Sequence, residues 1–471
     1  MPISPAYRPA QAFAALGPEF ADPVSPADFP KAILRHRNQR AAATVGLGDL
    51  TDAEWIAHFA RFEPLPGAMA RPLAMRYHGH QFQTYNPQLG DGRGFLFAQL
   101  RDDRGRLLDL GTKGSGQTPY SRQGDGRLTL KGGVREALAT AMLESLGVPT
   151  SRTFSLIETG EQLARNDEPS PTRSSVLVRL QHSHVRFGTF QRHSYHDAPA
   201  NLTALVDHCA ACYYPELLAL EGEARVAGLV RAAALAGAET VAAWMAAGFV
   251  HGVLNTDNMN ITGESFDYGP YRFLPVADAN FTAAYFDHTG LYAYGRQPQA
   301  VFWNLKQLAG ALSLICPAEA LVDAANAYAP AFANAQRARL HARLGVAETG
   351  DAEADAAFLN AMYAFLSASG APFERFFYDW FCGEESAARA AQSPLASAYA
   401  SEGFAPVRAG LAARAPVRPE RLAHPYFARG APASLHIDVI EALWDQIARE
   451  DDWSGFEAAL ARIEMQREAL A

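Results

Sequence analysis

The sequence predicts an α+β chain in two lobes, sheet-rich first and helical second, with an extension at either end. Two observations predict it. Between about residues 77 and 190 short apolar runs alternate with Gly-rich turns, the texture of strands, whereas from about Leu202 long Ala-rich amphipathic segments take over. The bulk numbers agree, since 471 residues with 49% hydrophobic and 19% charged side chains suit two or three packed units of ordinary globular composition.

Residues 1–75 are rich in Pro and Ala and carry one short helix, Asp52 to Arg61 after the cap residue Thr51, so they read as an extension packed on the core. Residues 76–195 form the sheet-rich lobe, with strands at Phe95–Leu100, Leu107–Leu110, Phe154–Ile157 and Val176–Leu180. One helix interrupts them. Val134, Leu138 and Met142 recur at helical spacing, Gly147 ends the run and Pro149 lies beyond. Residues 196–471 form the helical lobe and its C-terminal extension, with helices at 203–220, 223–247, 300–315 and 352–369. The acidic run Glu348–Asp355 reads as a solvated connector. A sheet lobe, a helical lobe and a Gly-rich site at their seam make up the two-lobed layout of protein kinases.

Composition excludes some function classes. A net charge of -9 argues against a broad nucleic-acid surface, which needs clustered positive charge. The start MPISPAYRPAQAF has neither the charged n-region nor the apolar core of a signal peptide. The most apolar stretch, Leu229 to Val250, is broken by Arg231 and Glu239 and reads as a buried helix, not a membrane span. No membrane partner and a cytoplasmic location are therefore expected. Four cysteines imply a reducing compartment without a disulfide framework. Cys209 and Cys212 form one C-x-x-C, which admits a redox pair or half a zinc site; the simpler reading is two small buried side chains one helical turn apart.

The chemistry concentrates in His251-Gly-Val-Leu-Asn-Thr-Asp-Asn258, followed nine positions later by Asp267-Tyr-Gly269. Kinase catalytic loops place the base Asp five positions ahead of the metal-binding Asn. Val253 stands at that position here. The runs Met259–Ile261 and Ser265–Phe266 flank Thr262-Gly263-Glu264, so a hairpin is expected that sets Asn258 opposite Asp267. Cross-strand partners lie roughly 4.5–5.5 Å apart at Cβ, close enough for one amide and one carboxylate oxygen to share a hard cation. Magnesium and manganese both accept such ligands. An Asx-rich turn that caps itself is the alternative.

Leu89-Gly-Asp-Gly-Arg-Gly94 offers Gly90 and Gly92, whose backbone amides are free to approach phosphate, and Arg93 as a fixed charge; alone it is equally an ordinary turn. Two predicted strands later comes Lys113, with Glu136 on the following helix, the spacing of a lysine–glutamate pair that positions nucleotide phosphates. The alternative for Lys113 is a solvated loop lysine. Arg179 and Arg186 flank the seam between the lobes, where two arginines can clamp phosphate bidentately. Asp125 and Gly126 lie in SRQGDGR, a turn placed to close over a nucleotide.

These motifs together, LGDGR, KGSGQTPYSRQGDGR, Arg135-Glu136, Val178-Arg179 with RFGTF, GFVHGVLNTDNM with DYGPYRF, and YAYGRQPQAVFWNLKQLA, resemble the selenoprotein O family of kinase-like proteins. The match is dense from about residue 75 to 315, includes LGPEF at Leu16–Phe20 and thins after about residue 320. The resemblance implies a protein adenylyltransferase that moves AMP from ATP to Ser, Thr or Tyr hydroxyls of proteins, with ATP reversed relative to ordinary kinases. It implies Asp257 as proton acceptor and Asn258 and Asp267 on magnesium. Gly90, Gly92, Arg93, Lys113, Asp125, Gly126, Arg179 and Arg186 would hold ATP together with Asp267, and Glu136 would orient Lys113. A carboxylate beside a metal pair should have a low pKa, so Asp257 would act by orientation more than by proton affinity. Many family members carry a C-terminal Cys or selenocysteine motif; the last cysteine here is Cys382, so redox gating by a tail disulfide is not expected. A conventional phosphotransferase and a non-catalytic nucleotide-binding pseudokinase are the competing readings, the latter favoured by Val253.

Overall fold

The computed structural model describes residues 4–166 and 168–471. Its N-terminal part is organised by one antiparallel sheet and its C-terminal part by helices, as the change of sequence texture predicts. The first 75 residues do more than pack on a finished core. They supply β1 (Pro9–Ala10), β2 (Ala21–Pro23) and β3 (Ile33–Arg37), followed by α1 (Gln39–Thr44), α2 (Asp52–Phe59) and β4 (Leu73–Met75). A small hairpin of β5 (Gly79–Gln81) and β6 (Thr84–Asn86) precedes the central strands β7 (Leu96–Arg101) and β8 (Leu107–Lys113). Then come β9 (Leu128–Thr129), α3 (Leu130–Ser145), β10 (Arg152–Leu163) and β11 (Thr172–Gln181). The sheet order is β2-β4-β7-β8-β11-β10-β3, with β1 on β7 and β9 on β11.

Strand periodicity decides what reaches the site. Val176, Val178 and Leu180 of β11 and Leu108 and Leu110 of β8 point to a core built on Trp55 and Phe59 of α2. The Trp55 ring stacks on Phe154 at 4.8 Å and its Nε1 donates to Ser155 Oγ at 2.8 Å. Thr51 and Glu54 cap α2 reciprocally, which fixes its start where the sequence places it. The intervening residues, Lys113 and Arg179 among them, face the other side, where α3 lies. Leu177 pairs with Lys113 and Arg179 with Gly111, so the two cations sit on neighbouring strands.

Helix α3 starts four residues before the predicted Val134 because Thr129 caps it and Gly132 and Gly133 are inside it. A Cβ at Gly133 would lie 2.4 Å from Leu156 Cδ1, so glycine lets the helix settle directly on the sheet.

After α4 (Phe187–Tyr195) and α5 (Pro199–Cys212) comes α6 (Gly222–Ala246), then the short ribbon of β12 (Phe249–Val250) and β13 (Arg272–Phe273). By length and composition α6 is apolar enough to cross a membrane despite Arg231 and Glu239 in its apolar stretch, yet it packs against α7 (Gln297–Leu312), α8 (Ala318–Asn326) and α9 (Tyr328–Leu344). The chain continues through α10 (Ala352–Ser369), α11 (Phe373–Asp379) and the short helices α12 (Ala387–Ala390), α13 (Ala396–Tyr399) and α14 (Ala405–Ala412). The last two, α15 (Ile437–Glu450) and α16 (Ser454–Leu470), return to the sheet part and cover α3, with Lys131 to Glu441 at 2.6 Å and Gln466 Nε2 to Ser145 Oγ at 2.9 Å. Cys209 and Cys212 lie one turn apart on α5 and all four cysteines are free thiols.

Candidate active site

The glycine-rich segment, the seam arginines and the catalytic loop meet in one cleft of 690 Å³ between the sheet and the helical part. Of the residues singled out in the sequence, Gly90, Gly92, Arg93, Lys113, Asp125, Gly126, Arg179, Arg186, Asp257 and Asp267 line it. Glu136 stands behind Lys113 on α3. Asn258 does not line it and instead borders a small separate cavity with Phe187, Met259 and Ser265.

Lys113 ends β8, buried, and donates to Glu136 Oε1 and, at 2.6 Å, to Asp267 Oδ1. The solvated-lysine alternative is thereby excluded. Arg179 Nη1 lies 3.5 Å from the same Asp267 oxygen. Arg186, at the start of α4, donates from Nη1 to the Asp257 carbonyl at 2.8 Å and faces Asp91 Oδ1 at 3.3 Å. Both guanidinium groups lie over the Phe266 ring, at 5.2 and 4.8 Å, and Arg186 also over Tyr77 at 4.4 Å. Aromatic faces hold these cations in fixed planes at little desolvation cost.

Burial alone would raise the Asp267 carboxyl, but Lys113, Arg179, Arg93 and Arg186 outweigh it and hold it well below the usual carboxylate range. Asp257 goes the other way. Burial pushes its carboxyl up to about 6 against the pull of Arg186. Its Oδ1 is buried without a hydrogen-bond partner, as are Arg179 Nε and Nη1 and Arg186 Nε. Buried polar atoms are nearly always satisfied, so four orphans lining one cleft mark the place where a charged ligand belongs.

The predicted hairpin after Asn258 is not formed. Residues 256–258 make one 3-10 turn, and Met259 and Ile261 bond to Phe187 and Val185 while Ser265 bonds to Pro149 and Ser151. The segment pairs outward with two different neighbours because those contacts bury more than a two-stranded ribbon would. Asp267 still returns to the cleft, through a left-handed turn at φ 65°. Asn258 Nδ2 donates to Val253 O at 3.0 Å, so its amide oxygen is the end left for a ligand. Among the described residues no three His, Cys, Asp or Glu side chains gather to hold a metal unaided, so a cation here needs ligands from its substrate. The Asn258 amide oxygen and the Asp267 carboxylate are donors of the kind a hard ion completed in that way accepts, which leaves Asp257 Oδ1 free.

The glycines have a packing reason of their own. A Cβ at Gly90 would meet Tyr120 Cγ at 2.3 Å, and one at Gly94 would meet Thr112 O at 2.0 Å. Thr118 and Ser121 hydroxyls donate to the carbonyls of Asp91 and Gly92, which pins the loop. Asp125 is already engaged: it accepts from Arg165 at 2.8 and 3.1 Å and from the Arg127 amide. Gly126 is required by φ 71° and because a Cβ there would lie 2.3 Å from the Gly116 carbonyl.

Sequence reasoning passed over Asp91, Tyr77, Tyr120 and Phe266. Asp91 lay inside the glycine motif, Phe266 beside Asp267 and Tyr120 beside SRQGDGR, so proximity was a signal for those three; Tyr77 had none.

The profile of the family described as "Protein adenylyltransferase SelO" matches residues 4–464. The chain is 43% identical to the "Protein nucleotidyltransferase YdiU" of Synechococcus elongatus over 97% of its length and 94% of the relative. It is 45% identical to the protein of the same name from Gloeobacter violaceus over 97% and 94%. The one from Synechocystis sp. is 51% identical over 73% of this chain and 71% of its own. The family match continues past residue 320 through the helical tail. The chain belongs to the SelO family of protein adenylyltransferases.

Proposed function

We propose that this nucleotidyltransferase moves AMP from ATP to Ser, Thr or Tyr hydroxyls of other proteins, releasing pyrophosphate, within a kinase-like two-lobed arrangement in the cytoplasm. The observation that carries the reading is the set of unsatisfied charges in the cleft: one carboxylate oxygen of Asp257 and three guanidinium nitrogens of Arg179 and Arg186. A triphosphate accepts from the arginines, and the Asp257 oxygen is left to take a proton from the incoming hydroxyl.

Lys113 pairs with Glu136 and Asp267, and Arg186 with Asp91. These partners hold the cations desolvated and oriented, so phosphate oxygens can approach them with little reorganisation. Magnesium or manganese, held by Asn258 and Asp267 with Asp257 beside them, would supply charge neutralisation at the phosphates. Lys113, Arg93, Arg179 and Arg186 then stabilise the charge that builds on the departing β- and γ-phosphates. The acceptor oxygen bonds to the α-phosphorus, the bond from that phosphorus to the bridging oxygen breaks, and the acceptor proton passes to Asp257. Asp257 suits that role because its carboxylate is buried and unencumbered, while Val253 leaves the usual base position empty of any acid.

Intact-mass spectrometry after incubation with ATP or with UTP tests the proposal. A mass gain on acceptor or enzyme equal to a nucleoside monophosphate identifies the donor, and a gain of a bare phosphoryl group refutes it.

A further inference from the structure

Beside Asp257 the surface changes character. The β5–β6 hairpin crosses directly over this carboxylate, since a Cβ at Gly79 would lie 2.9 Å from Asp257 Oδ1, and Gln81 lines the cleft. The hairpin is tied to the catalytic loop by the His80 amide donating to Thr256 Oγ1 at 2.7 Å and the Phe82 amide donating to Asn255 Oδ1 at 3.0 Å. Its turn holds Phe82 at φ 49° and Gln83 at φ 63°, left-handed conformations that side-chain-bearing residues rarely adopt and that cluster at functional segments.

From this turn an aromatic row runs outward. Tyr292, whose hydroxyl donates to Asn255 Oδ1 at 2.9 Å, packs on Phe82 at 4.9 Å. Phe82 meets Phe286 at 5.8 Å, and Phe286 meets Tyr285 at 5.1 Å. The inner end is anchored two residues from Asp257, and the outer end is bare: Phe286 is 42% and Tyr285 81% exposed, the latter the highest value among the exposed large hydrophobic side chains of the described residues. Exposed aromatics contiguous with a catalytic cleft mark a contact surface.

We propose that this ridge docks the acceptor: a polypeptide segment of the target protein that carries an aromatic or large aliphatic side chain close to its acceptor hydroxyl. The inference rests on the adenylyltransfer reading and adds to it the chemistry by which acceptors are selected. Continuity with Asp257 argues for this occupant, because Gln81 of the same hairpin lines the cleft that the acceptor hydroxyl must enter. Ring-to-ring steps of 4.9, 5.8 and 5.1 Å from Tyr292 to Tyr285 limit the row to the length of roughly five extended residues.

The test uses the full chain, α-labelled ATP and an oriented library of peptides with one fixed Ser and randomised neighbours. Wild type should favour peptides with Phe, Trp or Leu within five positions of the Ser by about tenfold, the scale of one buried aromatic anchor. The double variant Tyr285→Ser/Phe286→Ser should lose that preference while its nucleotide affinity is unchanged. Absence of apolar selection, or the same selection in the variant, overturns the inference. A wild-type dimer that the double variant dissolves, read by light scattering, also overturns it by assigning the ridge to a second copy. Label on the chain itself but on no peptide overturns this inference alone, whereas no label on any protein overturns the adenylyltransfer reading beneath it.

Discussion

Replacing Asp267 by Asn is the substitution whose consequences the structure defines most fully. The amide keeps the shape and removes one charge from the middle of the cleft. At an effective dielectric near 20, the attraction of Asp267 to Lys113 at 2.6 Å is about 6 kcal/mol and that to Arg179 at 3.5 Å about 5 kcal/mol before desolvation is counted. Burial of the carboxylate returns most of this, and Lys113 keeps Glu136, so the variant should lose only about 2 kcal/mol of stability, less than a fully orphaned buried charge costs. Catalysis should suffer far more. A cation held there as proposed would lose its carboxylate, and Lys113 and Arg179 would lose the group they face, so a loss of about 10³-fold in transfer is expected from a preorganised charge of this kind. Single-turnover transfer from α-labelled ATP, alongside urea unfolding of the same preparation, separates the two effects. A folded Asp267→Asn protein with transfer within threefold of wild type would refute the assignment.

Asp257→Asn should slow transfer by about 10²–10⁴-fold, the range of a lost general base, with nucleotide affinity measured by calorimetry nearly unchanged, because Oδ1 bonds to nothing in the protein. Gly94→Ala should lower the urea midpoint by an amount worth about 2 kcal/mol or more, since its Cβ would sit 2.0 Å from the Thr112 carbonyl, a backbone atom with no room to withdraw. Asp451 ties the loop before α16 to Arg35 and Arg173; hydrogen bonding from Arg173 holds its carboxyl at about 2. A folded pKa below the unfolded one stabilises the protein at pH above about 4 and loses that contribution as pH falls through 2. The side chain is half exposed, so Asp451→Asn should cost no more than about 1 kcal/mol at pH 7, and urea titrations should show the gap closing towards pH 2.

Local signals carried much of the fold. Strands β7, β8, β10 and β11 stand where alternation with Gly-rich turns placed them, and α2, α6, α7 and α10 within a few residues of their periodic runs. The Lys113–Glu136 pair was legible because strand and helix periods bring those positions to one face. The N-terminal strands were not, because β1 to β3 are two to five residues long and owe their existence to partners some 50 to 120 positions away. The hairpin after Asn258 was misread for a related reason: its turn chemistry is real, with the Gly263 amide bonded to Asn260 O, but residues 185–187 and 149–151 compete for its edges. Tyr77 under Arg186 belongs to the same class, as a ring chosen by tertiary packing leaves no local mark.

The phosphorus that is attacked is the centre of the account, and isotope position reads it directly. Incubated with an acceptor protein and either α- or γ-labelled ATP, the wild-type chain should leave label on protein from the α position only, with pyrophosphate as the second product. Label retained from the γ position instead would mean that Lys113, Arg179 and Arg186 do not cradle a departing pyrophosphate, and the reading of the cleft would fail with it.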